Sequence, residues 1–464
     1  MHLVDESDAV PVTSVADLVE HFRSAEKPRS AWRVGTEHEL VGVRASGPEA
    51  GTAPAYDGPD GIGAVLAGFA ARGWTPVTEH GHVIALTRGD AQVTIEPGGQ
   101  LELAARPVSH SCDLVGDLRE YVATLGEITR PMGLAWLSIG FRPFGTRADV
   151  PWMPKERYDV MRAYMPTVGT LGLDMMLRTT TVQTNLDWSD EADAAAKLAC
   201  LMSVTSLMTA LWAASPIVDG KVSGYQSYRA HIWRHTDADR AGLLRFALPG
   251  ATDAGVYRAY VDWALDVPMY FVYRGGYRTV RGLTFRRFMA EGWQGERATR
   301  ADWGLHLSTL FPEARMKKYM EVRGCDCGSL GMIAALAPFC HGLLYDDTAR
   351  AAATALTAGL GWDEHRQLAN DVPMSGLATR VGKATVGELS RELVAIVRDG
   401  LARSLPGVLR LIEPVAEIAE TGRTQSDAIV ELWNTHAGDV PALVRALAHP
   451  ELHPTAGTKN QLRC

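Results

Sequence analysis

An α+β fold is predicted by three features of the 464-residue sequence: short segments of alternating polar and apolar residues, longer helical periodicities, and connections rich in Gly and Pro. The alternating segments are WRVGTEHELVGV (32–43), AQVTIEPGGQLELAA (91–105), TTTVQTNLDW (179–188) and KYMEVRG (318–324). A hydrophobic content of 46% suffices for one large core or two, which excludes a disordered chain and a small disulfide scaffold.

Taken in order, residues 1–30 read as a leader followed by a helix, because Val15, Leu18, Val19 and Phe22 keep a helical period behind a Thr13-Ser14 cap. Residues 31–345 mix strands and amphipathic helices and form the expected catalytic α+β domain. Within it, 193–214 is a long apolar helix that stops before Ser215-Pro216. From 346 to 464 the composition turns to Ala, Leu, Arg and Glu with helical period, as in VGELSRELVAIVRDGLARSL (386–405), and predicts a C-terminal helical layer of the same domain or a subdomain. Residues 452–464 are polar and expected to fray.

Charge and cysteine content narrow the class. The 54 acidic and 46 basic side chains give a net charge of -8, and no run of five Lys/Arg occurs, so nucleic acid is not an expected partner. The six cysteines (112, 200, 325, 327, 340 and 464) contain no CxxC pair, which predicts a reducing, cytoplasmic location. The opening MHLVDESDAVPV does not read as a signal peptide. The longest apolar run, Leu330 to Tyr345, is interrupted by Pro338 and His341 and is shorter than the ~20 residues of a membrane span, so no membrane segment is expected.

Strand side chains alternate between faces. Glu37 and Glu39 therefore share one face, Thr94 and Glu96 a second, and Glu102 stands opposite Leu101 and Leu103. Thr181, Gln183, Asn185 and Asp187 fall together, as do Tyr319, Glu321 and Arg323. Such faces usually meet solvent. Here they are rich in carboxylates and amides and lack lysine, and clustered carboxylates need protons, arginines or metal ions to neutralise them. A carboxylate-lined sheet suits an ATP–Mg²⁺ site, and the sequence has no P-loop, no GxGxxG turn, and no HExxH or GxSxG motif. Arginines to hold a carboxylate or phosphate are available at Arg157, Arg162, Arg229, Arg234 and Arg323; Arg323 lies two residues from Glu321 on its strand. His231 is read on the Arg229 side of a strand, and Cys325 and Cys327 as buried or half-exposed thiols, with a redox pair or soft-metal site as the other reading.

GTEHE (35–39), TIEPGGQLEL (94–103), the segment 153–188, YRAHIW (228–233), LDVPMYFVYR (265–274) and DWGLHLSTLFPEARMKKYMEVRG (302–324) together resemble the plant and proteobacterial type of glutamate-cysteine ligase. The resemblance spans roughly residues 31–345. It implies a glutamine synthetase-like α+β fold, with a curved, mainly antiparallel sheet forming a funnel-shaped active site and helices outside. It also implies a reaction in which ATP phosphorylates the side-chain carboxylate of L-glutamate and the amine of L-cysteine attacks the acyl phosphate.

Carried over by position, Glu37, Glu39, Glu96, Glu102 and Glu321 match the family's magnesium ligands, for two or three expected Mg²⁺ ions. Arg157 and Arg229 match substrate-carboxylate arginines, Gln183 and Asn185 fall among the substrate-binding positions, and Arg323 matches an arginine at the transferred phosphate of the nucleotide. A covering loop is expected to shield the acyl phosphate, from 275–282 or the segment after Gly324. The chain departs from the family at 325–330, where Cys-Asp-Cys-Gly-Ser-Leu replaces an Ala-Asp-Gly-Gly-Pro-Trp-like stretch. A γ-glutamyl ligase using another amine, and a non-catalytic glutamate- or nucleotide-binding homologue, are the competing readings. The expected assembly is a monomer or homodimer.

Overall fold

The computed structural model describes residues 9–249 and 255–449, so the expected fraying of 452–464 and the first eight residues of the leader lie outside it. Nine strands form the main sheet: β1 (Val34–Arg44), β2 (Thr75–Glu79), β3 (His82–Arg88), β4 (Ala91–Ile95), β5 (Leu101–Ala104), β6 (Leu134–Leu137), β7 (Thr181–Leu186), β8 (Ala314–Met316) and β9 (Met320–Asp326). Their order is β8-β9-β7-β1-β5-β4-β3-β2, with β6 pairing the far half of β1. Every pairing is antiparallel, and the sheet does not close on itself.

The helices that place the site are α1 (Val15–Arg23), α2 (Ser111–Thr129), α3 (Glu156–Tyr164), α4 (Gly172–Arg178), α5 (Glu191–Leu211), α6 (Tyr228–Arg234), α7 (Leu330–Leu344), α8 (Asp347–Ala355) and α9 (Val386–Ser404). Helix α1 starts as its sequence predicts: Ser14 caps Asp17 N, and Asp17 returns the bond to the cap backbone. By length and composition α5 could cross a membrane, but 83% of its apolar window is buried inside the protein, so it is a core helix. It packs on β9, on α8 and on α9, and α9 also covers α7. One hydrophobic cluster runs from Val12 to Ala419 and so joins the sheet to these later helices.

The apolar sheet face reads as predicted. Val34, Leu40, Val93, Ile95, Leu101, Leu103, Val182, Leu186, Met320 and Val322 are all buried. Three local readings need correction. SYRAHIWRHTD is not a strand: Ser227 accepts from Ala230 N and starts the short helix α6, so His231 stacks among Tyr225, Tyr228 and His235. Asp187 lies past the end of β7, where it receives Lys27 Nζ at 2.7 Å and Arg33 N at 2.8 Å. Tyr319 falls in the turn between β8 and β9 rather than on the strand.

The segment after Gly324 is no covering loop. Cys325 and Asp326 continue β9, buried, and Ser329 then caps α7. Residues 275–282 contain the turn and second strand of a small hairpin whose strands are 271–273 and 277–279.

Candidate active site

Cross-strand register gathers the polar residues. Glu321 faces Asn185, Gln183 faces Glu37, Glu39 faces Glu102, and Glu102 faces Thr94. Paired residues point to the same side of a sheet, so five neighbouring strands contribute to one polar row. Glu96 joins it from the tight turn after β4, where Glu96 N donates to Gln100 O and Gly99 N donates to Glu96 O. Gly98 is required there: a Cβ would lie 2.0 Å from Leu177 O, so only glycine lets this turn seat against the end of α4.

A cleft opens on this face. Glu37, Glu39, Glu96, Glu102, Gln183, Arg157, Arg229 and Arg323 all line it, so the structure brings together every predicted site residue except Asn185, which donates from Nδ2 to Glu37 Oε1 at 2.8 Å, and Glu321, which is fully buried and bonded to Arg323 of the lining. Arg162 and Arg234 do not line it: Arg162 lies over Trp152, and Arg234 pairs with Glu313.

The carboxylates divide into two electrostatic groups. Burial pushes Glu39 well above the ordinary carboxylate value, and Glu96 and Glu102 add to the push. Glu96 is raised to about 7, first by burial and then by Glu102. Burial and Glu321 raise Glu37. In the absence of a cation, burial and the neighbouring carboxylates therefore favour the protonated forms of these three groups. Glu321 is the opposite case: burial pushes it up, but Arg315, Lys317 and Arg323 outweigh burial and hold it well below the usual range. It receives Arg315 Nη2 at 2.9 Å, Lys317 Nζ at 3.2 Å and Arg323 Nη1 at 2.7 Å. Arg315 Nη2 also reaches the second oxygen, Oε2, at 2.7 Å, so the roughly four lone-pair sites of the carboxylate are all engaged and a metal at Glu321 must displace one of these donors.

Arg315, Lys317 and Lys155 were not foreseen from the sequence. Arg315 pairs across the β8–β9 hairpin with Glu321, and Lys317 sits in its turn. Lys155 precedes α3, and burial lowers its ammonium to about 8 while Glu96 works to raise it. A sequence signal existed in ARMKKYMEVRG, where Arg315, Lys317 and Tyr319 keep the two-residue period of Glu321; the hairpin lacks Gly, Asn or Pro in its turn and so was not recognised.

The arginines differ in how they are held. Arg323 Nη1 also donates to Gln183 Oε1 at 2.8 Å. Arg229 Nη2 donates to Arg323 O at 2.9 Å, and Trp233 lies beneath both guanidiniums, 5.9 Å and 5.8 Å from their centres. Arg157, buried on α3, rests over Phe271, and its Nε has no partner among the described residues. An arginine buried in a cleft with unused donors fits an anionic ligand.

Whether the face suits metal ions follows from its donors. They are oxygens only, and they repel one another, as a site for hard cations requires. Among the described residues no three Asp, Glu, His or Cys side chains already converge as a finished ligand shell. The face is therefore an array that a bound cation would draw together.

The departure at 325–330 does not reach the cleft, since none of those residues lines it. Cys325 and Cys327 are free, buried thiols pushed up by burial, and no disulfide joins them.

Known proteins resemble this chain in both sequence and fold. The sequence profile of glutamate-cysteine ligase family 2 matches residues 33–446. The chloroplastic glutamate-cysteine ligase of Brassica juncea is 40% identical over 91% of this chain and 81% of its own length. That of Arabidopsis thaliana is 40% identical over 91% and 80%. A glutamate-cysteine ligase from Francisella tularensis, solved in complex with AMP, shares the fold with a TM-score of 0.54 at 14% identity, covering 90% of this chain and 87% of that one.

These relatives overturn the cytoplasmic location expected from cysteine content, because they are named as chloroplast proteins. Thiol spacing distinguishes reducing from oxidising surroundings, not one reducing compartment from another. From the profile match over most of its length and the plant relatives, the chain belongs to glutamate-cysteine ligase family 2, whose members are carboxylate-amine ligases.

Proposed function

We propose that this protein is an ATP-dependent ligase that phosphorylates the side-chain carboxylate of L-glutamate and joins it to the amine of L-cysteine, giving γ-glutamylcysteine, ADP and phosphate. The observation that carries this reading is the single sheet face on which under-neutralised glutamates meet arginines with free donors.

Glu37, Glu39, Glu96 and Glu102, with Glu321 once a cationic neighbour yields, would hold two or three Mg²⁺ ions. Those ions would supply charge stabilisation for the phosphate oxygens of ATP. Arg157 and Arg229 bind the substrate carboxylates as bidentate forks, and the cation–π contacts with Phe271 and Trp233 limit how far each guanidinium swings. Arg323, tied to Gln183 and Glu321, presents its remaining donors to the transferring phosphoryl group, and Arg315 and Lys317 keep that end of the cleft positive. Asn185 fixes the direction of Glu37. No side chain forms a covalent intermediate in this scheme. Phosphorylation turns a poor electrophile into an acyl phosphate, and the incoming amine completes the amide.

A different acceptor amine is the chief alternative reading, suggested by the altered 325–330 segment. Because that segment lies outside the cleft, cysteine remains the acceptor of choice. We further propose that residues 346–449 are a layer of the catalytic domain, since residues up to Ala419 share its main hydrophobic cluster and Ile429, Trp433, Leu443, Val444, Leu447 and Ala448 pack with Val41 and Val43 of β1 in a second one.

The test is ADP release by the purified protein with ATP, Mg²⁺ and L-glutamate, adding amino acids and amines singly and identifying products by mass spectrometry. Cysteine is expected to turn over fastest and yield γ-glutamylcysteine. Absence of glutamate-dependent ADP release with every acceptor would overturn the assignment.

A further inference from the structure

The polar face gains one buried carboxylate that strand alternation does not predict. Counting by twos from Glu321 and Arg323 would bring Cys325 to that face. The β7–β9 register shifts between Val322 and Cys325, so that Cys325 faces Val182 and Asp326 faces Thr181. Asp326 thereby lands on the side of Thr181 and Gln183, 1% exposed. Gly140 makes room for it, since a Cβ there would lie 2.7 Å from Asp326 Cβ.

Asp326 is bonded to the residues that fix the backbone around Arg229. Its Oδ2 accepts from Ser215 Oγ at 2.6 Å and from Ala214 N at 2.9 Å, and its Oδ1 accepts from Ser227 Oγ at 2.8 Å. Ser215 Oγ in turn accepts from Arg229 N at 3.1 Å, and Ser227 Oγ accepts from Ala230 N at 3.1 Å as the cap of α6. Arg229 Nη1 stands 3.9 Å from Asp326 Oδ1, and among the described residues no other carboxylate comes within ion-pair reach of that guanidinium. At that distance the charge orients the arginine without using its donors. A buried, ionisable carboxylate with no positive neighbour would be costly, so the pairing also explains why Asp326 is tolerated there.

We propose that Asp326 is a positioning residue for Arg229, holding the backbone, the helix start and the guanidinium in the orientation that receives a glutamate carboxylate. This rests on the proposed role of Arg229. The variant Asp326→Asn keeps the shape, with its amide oxygen able to accept from Ala214 N and Ser215, and its NH₂ able to donate to Ser227. It removes only the charge.

Steady-state kinetics of D326N should show KM for glutamate raised about tenfold with KM for ATP unchanged, because one charge-assisted orientation is lost. Ser227→Ala should raise KM for glutamate less, and Ser227→Thr, which keeps the hydroxyl, should restore it; this pair serves if D326N does not fold. Arg229→Lys is the control. If it leaves KM for glutamate unchanged, the reading of Arg229 fails. If Arg229→Lys raises KM for glutamate and neither D326N nor Ser227→Ala does, or if D326N raises both Michaelis constants alike, Asp326 is merely structural.

Discussion

Replacing Glu96 by Gln should stabilise the metal-free protein at alkaline pH while abolishing its activity. The Glu96 carboxyl is held at about 7, against an ordinary 4.5, by burial and by Glu102. Its folded-state value lies above its unfolded one, so ionisation costs nothing below about pH 4.5 and its full amount above pH 7. At about 1.4 kcal/mol per tenfold change in proton affinity, that amount is about 3 kcal/mol. Part is offset, because the Glu96 charge supports the buried ammonium of Lys155, itself lowered to about 8. A net gain of about 2 kcal/mol for the variant at pH 8 is therefore expected. At about 2 cal/mol/K of unfolding entropy per residue, this chain moves about 1 °C per kcal/mol, so Tm should rise by about 2 °C. Calorimetry in EDTA at pH 5 and pH 8 measures it. The variant and wild type should coincide at pH 5 and separate at pH 8, and saturating Mg²⁺ should stabilise wild type more than the variant. A variant less stable than wild type at both pH values would show that Glu96 is an ordinary, well-compensated polar group.

Three further outcomes are expected. Glu39→Gln and Glu321→Gln should each abolish glutamate-dependent ADP release with an unchanged circular dichroism spectrum; wild-type turnover in either would remove that residue from the site. Gly98→Ala should cost about 1–3 kcal/mol by pushing a methyl into Leu177 O, lowering Tm and shifting the Glu96 turn enough to weaken Mg²⁺ activation; a silent substitution would mean that the turn is free to move. Cys325 and Cys327, buried with their thiols pushed up, should resist iodoacetamide at pH 8 in the native protein and react fully in denaturant, as peptide mapping would record; rapid native labelling would revive a reactive pair.

The part of the site that could be read from the sequence is the part governed by one rule. Two-residue alternation places Glu37 and Glu39 on β1 and Gln183 and Asn185 on β7 on the correct face, because those strands run without interruption. It fails where the ladder is irregular. The register shift in β9 moves Asp326 to the polar side; Gly324, inside the shifted stretch, is the one residue of EVRGCDC that signals a bulge, and two-residue alternation takes no account of it. It also fails where a short helix imitates a strand: in YRAHIWR only Ile232 and Arg229 are buried, too few to set a period, and the Ser227 cap was the available signal. Arg315 and Lys317 were missed for a third reason. Their role comes from folding back on Glu321 through a turn of unusual composition, which depends on pairing and not on local pattern.

The most direct test of the glutamate face as a cation site is the number of Mn²⁺ ions bound by the protein, counted by electron paramagnetic resonance with L-glutamate present and with or without a non-hydrolysable ATP analogue. Wild type should hold at least one ion without nucleotide and two or three with it, and Glu39→Gln should lose at least one while remaining folded. Equal stoichiometry in wild type and in the Glu39 and Glu96 variants would place the metals, and the phosphoryl-transfer chemistry, somewhere other than this sheet face.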